Sequence, residues 1–151
     1  MDSNRFVSYD IARYLHNIGF YSDECIALYY TGYHTTEREL DINTAIYEYG
    51  AEDYLESQYG IEWQRFPYYL APTPSEALRW LREKGIYVFV RLDNKSEIDR
   101  RVVAEVCVKV RSFITITVLY DNDSFEAAEL AGLKYALVNF DELDKMINGY
   151  D

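Results

Sequence analysis

Three β-periodic runs lie close together between residues 86 and 120, and they constrain this chain more than any other feature. Residues 86–92 (IYVFVRL) and 112–120 (SFITITVLY) are rich in β-branched and aromatic side chains, the composition of strands that pack on a core. Between them, Val102, Ala104, Val106, Val108 and Val110 alternate with Val103, Glu105, Cys107 and Lys109. That period of two predicts a strand, although Ala104 and Glu105 keep a helix open as the alternative. The segment Asp93-Asn94-Lys95-Ser96 has turn chemistry and joins the first two runs. Connections this short give antiparallel neighbours. The expectation is an antiparallel meander over 86–120, and one face of it must be covered.

Helix signals on either side supply the cover. Thr73 at the N-cap, Pro74 at the first helical position and Glu76 three residues after the Thr form a capping box. Ala77, Leu78, Trp80 and Leu81 then make an apolar stripe, and Gly85 is placed to stop the helix. Asp123, with Glu126 three residues on, opens a second helix carrying Ala127, Leu130, Ala131, Lys134 and Leu137, with Gly132 as a close-packing point. A last short helix starts at Asn139 and holds Leu143 and Ile147.

The N-terminal half reads as mainly helical. Ser8 caps a helix whose apolar face is Ile11, Tyr14, Leu15 and Ile18, and Gly19 ends it. Asp41 is the candidate cap of another, running through Ala45, Ile46 and Tyr49 to Leu55 with Gly50 interrupting it. Residues 24–31 (ECIALYYT) offer a fourth strand to the meander, while residues 33–66 fit no simple pattern. The fold class expected is α+β: an antiparallel sheet of three to four strands packed against helices near 74–84 and 124–138, with an N-terminal helical region. One domain over 1–151 is the expected organisation, with 1–70 as a helical subdomain.

Charge narrows the function classes. Fifteen Lys and Arg against 26 Asp and Glu leave −11, the wrong sign for a surface that docks phosphates, so direct nucleic-acid binding is not expected. Residues 41–62 carry six acids and no base: Asp41, Glu48, Glu52, Asp53, Glu56 and Glu62. Apolar runs fall far below the roughly 20 residues that cross a bilayer, and the start MDSNRFVSYD lacks the pattern of a secretory signal. Two Cys make no disulfide framework. A cytoplasmic protein without a membrane partner is the expectation. Tyr occurs 16 times, and Tyr suits both half-buried positions and contact surfaces.

Residues with chemical potential are sparse. Cys25 near His16 is the one Cys/His combination to weigh for a small hydrolase, but its acidic neighbours disfavour a thiolate. Cys107 sits in a β-periodic run as a packed small side chain. No CxxC, HExxH or phosphate loop is present, and Asp121-Asn122-Asp123 lacks the Gly and Glu of a calcium loop. No metal or cofactor is expected. Glu52 and Glu56, four apart, read as a solvated helix face rather than a glycosidase pair. Arg79, Trp80 and Arg82 form the most basic and aromatic stretch, with Arg and Trp as residue types that carry binding energy at interfaces.

The segment Ala71-Pro72-Thr73-Pro74-Ser75-Glu76-Ala77-Leu78-Arg79-Trp80-Leu81-Arg82-Glu83-Lys84 resembles a group of small proteins of unassigned function from gut-anaerobe bacteria, their phages and mobile elements. These share a motif of the form APT-x-x-(E/Q)-A-x-x-W-L-R-E followed by strands. Ile18-Gly19-Phe20 with Cys25 and Tyr29-Tyr30, and Ser124 to Ala128 with Gly132-Leu133, are similar to two further segments of that group. The resemblance implies a fold and a genomic neighbourhood, and it transfers no activity and no catalytic residue.

The function expected on these grounds is a non-enzymatic interaction module of phage or mobile-element type. It would bind a cytoplasmic protein partner through Tyr47, Glu48, Glu52, Asp53 and Glu56 and through Arg79, Trp80 and Arg82. Self-association through a Tyr-rich face is the other partner expectation. Two alternatives stand beside it: an acidic nucleic-acid mimic that inhibits a host DNA-binding or defence protein, and the Cys25/His16 hydrolase.

Overall fold

The computed structural model describes residues 3–32, 39–93 and 101–149. Among them, six α-helices and two three-stranded antiparallel sheets make an α+β chain. It divides into two compact units, Met1–Thr73 and Pro74–Asp151. No helix among the described residues is long and apolar enough to cross a membrane.

The first unit opens with a 3-10 turn (Ser3–Arg5) and α1 (Tyr9–Asn17). Ser8 Oγ accepts from the Ile11 N–H at 3.4 Å, Ile11, Ala12 and Leu15 are buried, and Gly19 at φ +88° lies just past the C-cap residue Ile18. There follow β1 (Ala27–Tyr30), β2 (Leu40–Ile42), α2 (Thr44–Tyr49), α3 (Ala51–Tyr59), a 3-10 turn (Ile61–Arg65) and β3 (Tyr68–Leu70). The sheet order is β2-β1-β3, antiparallel throughout. Residues 24–31 therefore do not extend the C-terminal meander; β1 is the centre of a separate sheet, and the N-terminal region is not simply helical. All four β1 residues are buried, and a strand covered on both faces shows no alternation to read.

Asp41 is not a helix cap either. It lies in β2, and the cap of α2 is Asn43, whose side chain accepts from the Ala45 N–H at 2.9 Å. Gly50, at φ +89°, splits the expected long helix into α2 and α3. On one face of the sheet Leu28 and Tyr30 pack with Ile46, Tyr54 and Leu55. On the other, the Tyr9 ring meets Tyr29 and Tyr69 edge-on at 5.5 and 5.6 Å. Twelve of the 16 Tyr fall within this unit. Strands this short supply little aliphatic core, and Tyr fills the space while its hydroxyl reaches a polar partner: Tyr29 donates to the Val7 carbonyl at 2.9 Å and Tyr30 to that of Trp63 at 3.0 Å.

The second unit comprises α4 (Pro74–Glu83), β4 (Ile86–Asp93), β5 (Arg101–Lys109), β6 (Phe113–Asn122), α5 (Phe125–Val138) and α6 (Phe140–Asn148). Residues 102–110 form a strand rather than a helix up to Lys109, and the order β4-β5-β6 is the expected meander. Past Asp93, the turn expected at Asp93-Asn94-Lys95-Ser96 lies outside the described residues. Helix α5 packs on the sheet face made by Val88, Val90, Val102 and Ala104, with Ala128 buried against them. Its cap is Ser124, which accepts from the Ala127 N–H at 3.0 Å, and not Asp123, which pairs with Arg101 at 3.4 Å. Asn122 donates to the carbonyls of Val102 and Leu119, tying the end of β6 rather than starting a calcium loop.

Candidate functional site: a cleft on the open edge of β3

The pairing of β3 dictates where its backbone groups point. The Ala71 N–H donates to the Ala27 carbonyl at 2.9 Å, and the register places Tyr69 opposite Tyr29 and Leu70 opposite Leu28. Bonded and non-bonded pairs alternate along an antiparallel ladder, so Tyr69 bonds to β1 while the N–H and C=O of Tyr68 and Leu70 point away from it. One step further on, Pro72 has no N–H to leave unmet, and its carbonyl accepts from the Val7 N–H at 2.9 Å. The outer edge is thus closed at Pro72 and open at Tyr68 and Leu70, where no strand pairs with it among the described residues.

A cleft of about 320 Å³ lies along this open stretch, lined by His16, Phe20, Tyr21, Glu52, Tyr68 and Leu70. It draws on both layers over the sheet. His16 comes from the end of α1, where its ring meets Tyr69 edge-on at 5.1 Å, and Glu52 comes from the first turn of α3. Burial first, and then the charge of Glu52 and nearby Tyr21, raise the Tyr68 phenol above its ordinary value. Tyr21 itself is 71% exposed. The unit as a whole carries twelve Asp and Glu against four Arg, −8 of the chain's −11.

Of the residues singled out from sequence, His16 and Glu52 line the cleft. Tyr47 (56% exposed) and Glu48 on α2, and Asp53 and Glu56 on α3, are solvent-facing on the same unit. Arg79, Trp80 and Arg82 belong to the other unit. There Trp80 is half-buried, stacked on Phe140 of α6 at 5.9 Å with the Lys84 ammonium 5.1 Å from its ring, and Arg79 and Arg82 are exposed. Trp80 thereby joins α4 to α6.

Cys25 is buried whereas His16 is exposed and turned toward Tyr69. Cys107 is buried 3.7 Å from the Thr115 hydroxyl. No cluster of three metal-ligating side chains occurs among the described residues. Sequence reading passed over Phe20, Tyr21, Tyr68 and Leu70. The available signal was Pro67 and Pro72 bracketing Tyr68-Tyr69-Leu70, since Pro favours the ends and edges of sheets. No protein-family profile, curated protein or solved structure matches this chain.

Proposed function

We propose that this chain is a non-enzymatic interaction module that binds a protein partner through the acidic, Tyr-rich surface of residues 1–73. The observation that carries this reading is the β3 cleft, where exposed Tyr21, the Tyr68 phenol and the Glu52 carboxylate converge within a unit of net charge −8. Tyr contributes large contact area at low entropic cost, and a single-sign surface steers an oppositely charged partner. Burial of Cys25 supports a packing role for that side chain over a nucleophilic one. The resemblance over residues 71–84 supports a cytoplasmic accessory protein of phage or mobile-element type.

A second reading, a nucleic-acid mimic that occupies a host DNA-binding or defence protein, is supported by Glu48, Glu52, Asp53 and Glu56, which are exposed on two successive helices. Salt separates the two, because phosphate mimicry weakens steeply with ionic strength and Tyr-mediated contact much less. The test is affinity capture from host lysate with the wild-type protein and with a charge-reversed variant (E48K, E52K, D53K and E56K). A partner held by the wild type and lost by the folded variant is expected. A partner set identical for both proteins, or none above background, would overturn the reading.

A further inference from the structure

We propose that the open edge of β3 accepts an extended, basic segment of the partner as an added strand. This rests on the interaction reading above and names the mode of binding. The N–H and C=O groups of Tyr68 and Leu70 point outward into a cleft. Unpaired strand edges are templates for another chain, and natural sheets cover or blunt those that are not used. Here the blunting is confined to one end. Pro72 and Val7 close the edge, and the next two outward-facing residues back along β3 are left open beside a space of about 320 Å³.

The chemistry of the walls specifies the guest. An added strand alternates its side chains between the two layers at about 3.3 Å per residue. Tyr68 and Leu70 pack with the cluster beneath α2 and α3, so the guest side chains on that side meet Glu52 and the Tyr68 hydroxyl. Those positions call for Lys or Arg, in keeping with the −8 of the unit. The intervening side chains meet His16 and Phe20 at the end of α1, where an uncharged residue fits. Closure at Pro72 limits the pairing to a short segment, about three to five residues.

A display library of linear 12-residue peptides, selected against the full-length protein, tests this. The expected binders carry Lys or Arg at alternate positions. Their affinity falls at least tenfold when alternate backbone amides are N-methylated and several-fold with the variant Glu52→Gln, and they slow exchange of the Leu70 amide at least tenfold. Binders indifferent to N-methylation that leave Leu70 exchange unchanged overturn strand addition, as does a library that enriches nothing. The interaction reading stands or falls separately, on the charge-reversal capture.

Discussion

The Tyr54 hydroxyl donates a 2.6 Å hydrogen bond to Oδ2 of Asp41, joining α3 to the outer strand β2. Burial, and then this carboxylate, push the Tyr54 phenol up to about 12. The folded protein therefore holds that proton more tightly than the unfolded chain does. The resulting stability is complete below pH 10 and is lost as pH rises toward 12. Tyr29, Tyr59 and Tyr68 are raised as well, chiefly by burial. Urea midpoints measured from pH 8 to 11.5 should fall above pH 10, and Tyr54→Phe should lower stability at pH 7 by about 1 to 2 kcal/mol and flatten the alkaline decline. An alkaline slope unchanged in that variant would contradict the assignment.

Two glycines should fail for different reasons. A Cβ at Gly132 would lie 2.4 Å from Val88 Cγ1 and 3.4 Å from Ala104 Cβ. Gly132→Ala gains about 1 kcal/mol of helix propensity and meets an overpacking cost of about 1 to 3 kcal/mol, so a net loss is expected in a denaturant titration. Gly50 has open space around it and φ +89°, ψ 153°. Gly50→Ala is expected to cost about 1 to 3 kcal/mol through the backbone alone, whereas Gly50→D-Ala should restore stability.

Both thiols should be slow to react. Cys25 and Cys107 are each 3% exposed, so labelling by a disulfide reagent at pH 7 requires local opening and should run at least about a hundredfold slower than in denaturant. Rapid labelling of native Cys25 would instead favour the Cys25/His16 hydrolase.

The C-terminal unit was legible because its elements carry local signals. The capping-box segment at 73–76, the alternation through 102–109 and the close-packing Gly132 each specify their surroundings within a few residues. The N-terminal unit was not, since β2 and β3 have three residues each and β1 is buried on both faces. No period develops over such lengths. Caps were misplaced by one or two residues where acids and amides stand together, with Asn43 and Ser124 taking the roles given to Asp41 and Asp123. Among the site residues, Glu52 was visible as part of an acid run. Tyr68 and Leu70 matter for where their backbone groups point, which only strand pairing decides.

Amide exchange at β3, measured residue by residue in the free protein, decides whether this edge is open. Tyr69 bonds to β1 and should be protected, while Leu70 beside it should exchange at close to the rate of an open chain. Protection of Leu70 equal to that of Tyr69 in the absence of any partner would mean that the edge is already occupied, and the account of the cleft as a docking edge would be wrong.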